Sequence, residues 1–515
     1  MTVVTVPSAG QFGYIPDAEP QELPPNAWSY AKNMRFKDGY AERFAGSATA
    51  FTTPAITPYF LMPFRNLNSK FWIYAGIASV YCDDGTTRTD LTRAAGATPY
   101  TGGVDDRWTG GSASGIAILN NGIDLPQFWA GNVANDFANL TAWDANHRAF
   151  AMRPFKQYIV ALNITKTGVQ FPHMVKWSSA AVPGALPTVW DPATATADAG
   201  EQDLAETTDT LIDCLPMGDL NVIYKERSMY GMQYIGGTFV WRFFRLPGET
   251  GMLARGCVAD TPKGHVVLTA GDVIVHSGQG PTSISQGRVR KFLFDRIDTT
   301  NYARSFVCVN QLGHEVWICF PESGATVCTQ AVVWNWDSDT FGVRELPNAT
   351  YGASGGIGVT SGATWAASAY TWATHPGTWS SDVLSAAEAQ LVVSCSTPTL
   401  TVMESGLQFN GVNPTAVLER TGLAFDKPES VKTVSKIIPR IDAAAGTVLT
   451  IEVGGSMDAE VQPTYSQPFS YTVGTSYSAD AYATGRFLAF RITSTGQNAW
   501  RLKSFDMYIK THGGF

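Results

Sequence analysis

Short runs of apolar residues recur along the first two thirds of the chain at similar intervals. Six of them begin 44, 43, 62, 45 and 50 residues apart. They are FWIYAG from Phe71, GIAILN from Gly115, YIVALN from Tyr158, LNVIYK from Leu220, HVVLTA from His265 and EVWICF from Glu315. Because the runs are short and bounded by turn residues such as Gly, Asn and Asp, they predict buried β-strands.

A second strand-like segment follows each run after a turn. These segments are SVYCD from Ser79, PQFWA from Pro126, HMVKWS from His173, SMYGMQ from Ser228, DVIVHSG from Asp272 and AVVWNWD from Ala331. A third segment often ends on an aromatic residue or a proline, as in LPTVWDP from Leu186, FVWRFFRLP from Phe239 and FGVRELP from Phe341. Units of about 40 to 50 residues with three or four strands are typical of propeller blades.

The pattern therefore predicts a six-bladed β-propeller. The one long interval indicates a polar insertion near residues 190–210, in the segment that begins ATATADAGEQ at Ala193. The units share little sequence, so unrelated strands of a β-sandwich are the alternative interpretation.

Alternation of apolar and polar residues becomes strict near the end of the chain, in TVLTIEV from Thr447, RFLAFRI from Arg486 and FDMYIK from Phe505. Such alternation is typical of strands with one buried face. We expect an all-β protein: a six-bladed propeller with an extended N-terminal arm and a C-terminal β-sandwich. The predicted parts are an arm and propeller entry (1–58), the blades (59–350), a propeller-closing or peripheral β segment (351–430) and the sandwich (431–515).

Composition supports this fold class and limits the function. The 515 residues include 49 Gly, 28 Pro, 15 Trp, 19 Tyr and 27 Phe, which favours many turns between β-prone segments. The formal net charge of -8 argues against a protein that clamps nucleic acid through clustered basic residues. No basic leader opens the chain and no apolar run reaches about 18 residues, so we expect a soluble, unexported protein with no membrane span.

Residues that could carry chemistry are few. The seven cysteines include no C-x-x-C pair, which predicts reduced thiols and neither a disulfide framework nor a zinc site. Residues 352–356, GASGG, match the G-x-S-x-G nucleophile motif, but the flanking sequence suits neither the strand nor the helix that this motif requires, so a turn or loop is predicted. Asp337-Ser338-Asp339 lacks the later ligands of a calcium loop and predicts a hairpin turn.

The seven histidines are dispersed, with no two at metal-ligand spacing, although a fold could still gather them. We therefore predict no catalytic residues, no metal site and no cofactor, and expect that the protein is not an enzyme.

Two segments are candidates for an assembly surface. In NAWSYAKNMRFKDGYAERF, residues 26–44, Trp28 predicts an aromatic anchor and Asp38-Gly39 a turn. RVRKFLFDR, residues 288–296, brings four basic side chains together, for which a solvated face or inter-subunit ion pairs are favoured over a phosphate contact. The candidate interface or arm residues are Trp28, Arg35, Asp38, Gly39, Arg288, Arg290 and Lys291.

The first of these segments resembles the N-terminal part of the tail nozzle, or packaged-DNA stabilisation, proteins of short-tailed bacteriophages (tail tubular protein B-like). The matching residues are Asn26, Trp28, Asn33, Arg35, Phe36, Asp38, Gly39 and Tyr40. Further similar stretches, in the same order, begin MGDLNVIYK at Met217, VIVHSGQGP at Val273, EVWICFPES at Glu315 and GRFLAFRIT at Gly485. The resemblance covers most of the chain and is weakest from about 350 to 400 and near 193.

The resemblance implies a structural virion protein of the tail, assembled in the host cytoplasm. It implies a homohexameric ring below the portal and the adaptor, which retains the packaged genome and serves as the conduit for DNA ejection. The implied partners are the adaptor, tail fibre, spike or needle proteins, and passing double-stranded DNA bound without sequence specificity. The net negative charge agrees with a wall that repels DNA. The alternative is a propeller-type tail protein that binds or degrades glycans, which would need convergent carboxylates or a tyrosine nucleophile in the channel.

Overall fold

The computed structural model of the chain describes residues 2–66, 69–93, 98–237, 239–357, 389–425 and 427–514. Within these ranges the chain folds almost entirely into β-strands, with one short α-helix, α1 (Arg290–Phe294), and one 3-10 turn, Tyr302–Arg304. The predicted all-β class is confirmed. No helix in the described ranges is long and apolar enough to cross a membrane.

The first part of the chain forms seven short strands. They are β1 (Thr2–Val6), β2 (Gly13–Tyr14), β3 (Ala27–Trp28), β4 (Tyr30–Lys32), β5 (Met34–Lys37), β6 (Tyr40–Arg43) and β7 (Ser47–Thr49). Of these, β2 and β3 pair with each other in parallel, and β5 and β6 form an antiparallel hairpin.

Six successive four-stranded antiparallel units follow, each with its strands paired in chain order. Unit 1 consists of β8 (Phe60–Asn66), β9 (Ser69–Ala75), β10 (Val80–Asp83) and β11 (Arg88–Asp90). Unit 2 consists of β12 (Thr109–Ala113), β13 (Ile116–Asn120), β14 (Gln127–Trp129) and β15 (Ala138–Asn139). Unit 3 consists of β16 (His147–Phe155), β17 (Tyr158–Lys166), β18 (Val169–Trp177) and β19 (Gly200–Asp203). Unit 4 consists of β20 (Leu211–Met217), β21 (Leu220–Lys225), β22 (Met229–Tyr234) and β23 (Trp241–Arg245). Unit 5 consists of β24 (Val258–Thr261), β25 (Gly264–Leu268), β26 (Val273–His276) and β27 (Thr282–Ser283). Unit 6 consists of β28 (Phe306–Asn310), β29 (Glu315–Phe320), β30 (Cys328–Asn335) and β31 (Thr340–Gly356).

The six apolar runs found in the sequence fall on the second strand of each unit, and their partner segments fall on the third. These strands are apolar because both of their faces are buried, as in β13, where all five residues are buried. Neighbouring units also share side chains in common cores. Phe71 of unit 1, for example, packs edge-on against Trp129 of unit 2, with ring centroids 5.2 Å apart.

One predicted strand is wrong. The segment that begins at Leu186 forms no strand and lies in the connection after β18, where Trp190 packs against Trp143 with ring centroids 4.7 Å apart. The fourth place in unit 3 is taken by β19, which lies inside the polar segment that was interpreted as an insertion. Its Glu201 binds Lys166 and Lys176 at 2.7 and 3.1 Å, so ion pairs and main-chain hydrogen bonds hold a strand that has little apolar surface.

A further four-stranded antiparallel set includes part of the segment predicted as propeller-closing or peripheral, 351–430. The strand β31 has two parts: its first residues pair with β30, and Ala349 to Gly356 pair with β32 (Ala389–Cys395). The set continues with β33 (Thr399–Met403) and ends with the N-terminal β7, whose Ala48 lies opposite Val402. It lies between units 6 and 1, because Gly352 packs on Cys308 of β28 and Gly355 on Pro63 of β8.

This set also corrects the interpretation of GASGG, residues 352–356, as a turn or loop. The segment is part of β31, and its Ser354 hydroxyl donates a hydrogen bond to the Val309 carbonyl. A serine in a paired strand is not presented at a strand-to-helix turn, so the nucleophile motif is not formed.

The remaining strands complete two larger sheets. They are β34 (Ala416–Leu423), β35 (Ser430–Ala443), β36 (Val448–Ser456), β37 (Thr464–Tyr465), β38 (Phe469–Thr472), β39 (Ala483–Gly485), β40 (Phe487–Ser494) and β41 (Trp500–Gly514). One sheet has the order β37-β36-β40-β34-β4, with β38 on β36, and the other continues from β31 through β5-β6-β41-β35-β39, with β1 on β41. Their buried faces meet where Phe490 and Phe505 pack with ring centroids 4.8 Å apart.

The N-terminal strands therefore do not form an extended arm. β1 pairs with β41, β4 with β34 and β6 with β41. A strand edge left in water would expose unpaired N–H and C=O groups, and pairing with the C-terminal strands satisfies them.

Candidate assembly surface at the N-terminal hairpin

Trp28 lies in the interior. Its side chain is fully buried, its indole N–H donates to the Ala9 carbonyl at 2.5 Å, and its ring lies 6.4 and 6.3 Å from those of Phe490 and Phe505. A buried Trp of this kind combines a large apolar contact with a satisfied N–H. The residue anchors the N-terminal segment to the two C-terminal sheets, and it is not available to a partner.

Asp38 and Gly39 form the two-residue turn of the β5–β6 hairpin. Their φ angles are 52° and 78°, and Lys37 pairs with Tyr40 across the turn. Positive φ at both central positions defines a type I′ turn, whose twist matches that of the two strands. The turn inferred from the Asp-Gly pair is confirmed by this geometry.

Arg35 projects from the same hairpin into a cluster of buried charges. Its guanidinium contacts Glu42 and Glu404 at 2.6 Å each and Glu315 at 3.5 Å. Burial lowers the pKa of Arg35, but the three carboxylates raise it by more, so the net pKa is raised. The second cation is Arg344, which is fully buried, also pairs with Glu404, and lies 5.0 Å from the Trp317 ring centroid.

This cluster joins three parts of the chain: the N-terminal hairpin, unit 6 and the end of β33. Glu315 is fully buried, and burial raises its pKa against the opposing effect of Arg35. Removing one member would leave an uncompensated charge inside the protein, which is far more costly than losing a surface ion pair. Arg35 is therefore a structural residue of this joint.

The basic segment lies in the connection between β27 and β28 and contains helix α1. Asp17 caps this helix, because its carboxylate accepts the N–H groups of Lys291 and Phe292 at 2.6 and 2.8 Å. Arg290 donates from Nε to the Gly271 carbonyl at 2.7 Å. Lys291 and Arg290 line a shallow surface cavity of about 520 Å³ together with Asp17.

Arg288 is used within the chain. It pairs with Asp339 at 3.1 Å and lies 4.8 Å from the ring centroid of Phe341. The turn that holds Asp339 also receives the hairpin, because the Asp38 N–H donates to the Ser338 hydroxyl at 3.3 Å. This turn joins β30 to β31, so the hairpin turn inferred for residues 337–339 is confirmed.

The structure thus separates the seven predicted residues into two groups. Trp28 and Arg35 are interior, while the others lie around the β30–β31 turn or on α1. We call the second group, Asp38, Gly39, Arg288, Arg290 and Lys291, the hairpin surface; Asp38, Arg290 and Lys291 are exposed, and Gly39 and Arg288 are half-buried. Its members come from segments about 250 residues apart in the chain, so no local pattern could have joined them.

Sequence reasoning missed one polar network. The Tyr224 hydroxyl lies 2.7 Å from His265 Nδ1 and 2.7 Å from His276 Nε2, and all three residues are buried. His265 Nε2 donates to the Pro216 carbonyl at 3.1 Å, so Nδ1 is the acceptor of the Tyr224 hydroxyl. His276 Nε2 then donates to the tyrosine oxygen, and His276 Nδ1 accepts the Gly278 N–H at 3.4 Å.

When both rings are neutral, each hydrogen bond of this network has one donor and one acceptor. Burial lowers the pKa of His265 and of His276 to about 4, and in His276 the neighbouring His265 adds to the effect. The signal in the sequence was the mirrored placement of the two histidines about the β25–β26 turn, which makes them direct cross-strand partners. No group of three metal-ligating side chains occurs in the ranges that the structure describes.

The seven cysteines lie in the interior. All seven are free and buried. Burial raises the pKa of Cys82, Cys214 and Cys257 to about 12, so these thiols stay protonated and unreactive at neutral pH.

Comparisons with known proteins identify no family. No family model matches the chain, and no curated protein does. Among solved structures, it is similar to the WD40 β-propeller domain of Doa1 (11% identity, 70% of this chain and 97% of that one, TM-score 0.33) and to the WD40 domain of Neurospora crassa Pan2 (9%, 72% and 97%, 0.37). It is also similar to Citrobacter koseri AztD (11%, 56% and 89%, 0.29). Similarities at these TM-scores carry no argument about function.

Proposed function

We propose that the protein is a subunit of the tail nozzle of a short-tailed bacteriophage. It would form a homohexameric ring below the portal and adaptor, retain the packaged genome and conduct DNA during ejection. The observation that carries the proposal is the ordered set of motifs that resemble those of nozzle proteins. The first motif, residues 26–44, supplies strands that pair with β31 of unit 6 and with β34 and β41 of the C-terminal sheets, a role suited to a scaffold protein.

For the fold we propose a propeller of seven blades in place of the expected six. Units 1 to 6 are the first six blades, and the second part of β31 with β32, β33 and β7 is the seventh. Within the segment predicted as 351–430, the described strands β32 and β33 therefore favour the propeller-closing role over the peripheral one. The two sheets that contain β34 to β41 and the N-terminal strands form the β-sandwich.

A disulfide trap would test the closure by β7. Ala48 and Val402 are directly opposite residues of β7 and β33, so cysteines at both positions should cross-link and change the mobility of the unfolded chain on a non-reducing gel. The pair Ala48→Cys with Leu391→Cys is a matched control, because Leu391 lies on β32 and has no cross-strand partner on β7. Equal cross-linking of both pairs, or of neither, would contradict the closure.

The hexamer is tested by the mass of the purified protein and by its position in virions. Six chains of 55.5 kDa give a particle of about 330 kDa in analytical ultracentrifugation. Cryo-electron microscopy of particles should place it at the tail, distal to the adaptor. A monomer that degrades capsule glycans, with activity abolished by one carboxylate substitution, would instead support the glycan-degrading alternative.

The hairpin surface is the proposed contact between neighbouring subunits. Lys291 and Arg290 are exposed there, whereas Arg288 already has Asp339 as its partner, so an acidic patch of the neighbour would pair chiefly with the first two. The chain has 44 acidic and 36 basic residues, and some of the basic residues would lie at subunit contacts. The surface left for the conduit wall would therefore carry a net negative charge.

A further inference from the structure

A cavity of about 700 Å³ opens where the connections of units 2 to 6 converge. Its lining comes from the segments that enter β12, β24 and β28, from the β21–β22 turn and from the starts of β16 and β20. This volume is in the range of small-molecule sites, which are concave, mainly apolar and equipped with a few polar groups.

Two buried arginines, Arg107 and Arg255, lie in the lining, and each is only 7% exposed. Arg107 donates to the carbonyls of Ala303, Ser305 and Thr350 at 3.1, 2.8 and 3.4 Å. These main-chain acceptors hold the side chain in place but do not neutralise its charge.

Arg255 is held in the same way. It donates to the carbonyls of Phe150 and Asp105 at 3.0 and 3.1 Å, and its guanidinium lies 4.1 Å from the ring centroid of Phe150. Within the described ranges neither Arg255 nor Arg107 forms an ion pair with a carboxylate. A guanidinium has five N–H donors, so both side chains keep donors for a further acceptor.

The carboxylates near the cavity are engaged elsewhere. Asp105 accepts from Arg304 at 2.7 Å, and Asp106 accepts the N–H of Gly103 at 2.8 Å in its own loop. Glu226, at the exposed edge of the lining, accepts from the Thr210 hydroxyl at 2.8 Å. Asp213, fully buried behind the cavity, forms two hydrogen bonds to Arg153, at 2.9 and 2.7 Å. The buried part of the lining is therefore net positive, which is costly to maintain unless an anion is bound for part of the time.

Part of the cavity wall is apolar or aromatic. It consists of Ile212, Met252, Leu253, Phe294, Ile297 and Tyr302. Arginine pairs with planar carboxylate and with phosphate oxygens through two parallel N–H donors. We propose that this cavity binds a small amphiphilic anion, with a phosphate monoester or carboxylate group on Arg107 and Arg255 and an apolar or aromatic group against that wall.

The proposal goes beyond the nozzle role and does not depend on it. It is tested on the full-length protein by isothermal titration calorimetry with three probes: phenyl phosphate, benzoate and benzyl alcohol. We expect the two anions to bind and the neutral alcohol to bind at least about tenfold more weakly, since it cannot form charge-assisted hydrogen bonds. The stronger of the two anions identifies the head group. Equal binding of all three probes, or of none, overturns the proposal.

Two variants with matched controls locate the site. Arg255→Gln should weaken binding of the preferred anion about tenfold, while Arg242→Gln, which removes a charge from the exposed side of β23, should leave it unchanged. Arg255→Gln also alters two buried hydrogen bonds, so a second pair of variants leaves the arginines in place. Thr299→Trp fills the cavity from its exposed rim, and Thr300→Trp places the same side chain next to it outside the lining. Binding that survives Thr299→Trp, or that is lost equally in Thr300→Trp, overturns the proposed location.

Discussion

Removing the hydroxyl of Tyr224 should destabilise the units around the His265–Tyr224–His276 network. The change Tyr224→Phe leaves the ring and its packing almost unaltered. It removes both the donor to His265 Nδ1 and the acceptor of the His276 Nε2 proton, each 2.7 Å away. His265 is 0% exposed and His276 is 2% exposed, so water cannot take the place of the hydroxyl without opening the core.

The expected cost follows from these two losses. A buried polar group without a partner costs about 1–3 kcal/mol, so two of them cost about 3 kcal/mol if one relaxes in part. Unfolding entropy is about 2.1 cal/mol/K per residue, which gives about 0.6 kcal/mol/K for a cooperative unit of about 300 residues. The midpoint of thermal unfolding should fall by about 5 °C.

Differential scanning calorimetry at pH 7.5 measures this shift. Tyr74→Phe is the matched control, since Tyr74 is also fully buried but its hydroxyl has no hydrogen-bond partner within the described structure. Losing an unsatisfied hydroxyl should change the midpoint by less than about 1 °C or raise it. If the two variants behave alike, the reasoning from the network is refuted. If Tyr224→Phe alone leaves the midpoint unchanged, the assigned hydrogen bonds contribute nothing to stability.

Three further predictions concern pH, the turn and assembly. Both network histidines have a pKa of about 4 in the folded protein and about 6.5 in the unfolded chain, so between pH 4 and 6.5 the unfolded chain binds more protons. Urea titrations should therefore show that the free energy of unfolding falls as the pH decreases below 6.5, by up to about 3 kcal/mol per histidine. His276→Gln should make this pH dependence weaker. Gly39→Val should lower stability by about 1–2 kcal/mol in the same assay and Gly39→Asn by less, because φ is 78° there. Replacing Arg288, Arg290 and Lys291 with Glu should reduce the fraction of assembled ring measured by sedimentation, and the effect should depend on salt concentration. The circular dichroism of the chain should be unchanged. Normal assembly combined with altered DNA release would instead place these residues at the lumen.

The sequence predicted the interior strands of each unit well, and the physical reason is local. Segments such as residues 158–163 are apolar on both faces because both faces are buried, and this is visible without knowledge of any partner. The edge strands were harder to predict. β19, with the sequence GEQD, has no apolar pattern, and it is a strand because Trp177, Lys176 and their neighbours supply the pairing partners.

The N-terminal strands show the limit of local patterns more clearly. Trp28 and the Asp38-Gly39 turn could be interpreted from residue type alone. Some strands of this segment have partners almost 400 residues or more away, as for β4 with β34 and β6 with β41, and periodicity carries no information about such a distance. The same holds for the cavity arginines, since Arg107 and Arg255 are isolated in the sequence and become neighbours only when the connections of different units converge.

The pairing of β7 with β33 has a consequence for biosynthesis. Residues 47–49 leave the ribosome early, but their partner residues 401–403 follow about 350 positions later. At typical translation rates of about 5–20 residues per second, roughly 20 to 70 s pass between the two events. During this interval β33 does not yet exist, and the edge of β7 can pair with other chains. Nascent chains should therefore depend on chaperones, or be prone to aggregation at high expression temperature, until about residue 403 has emerged.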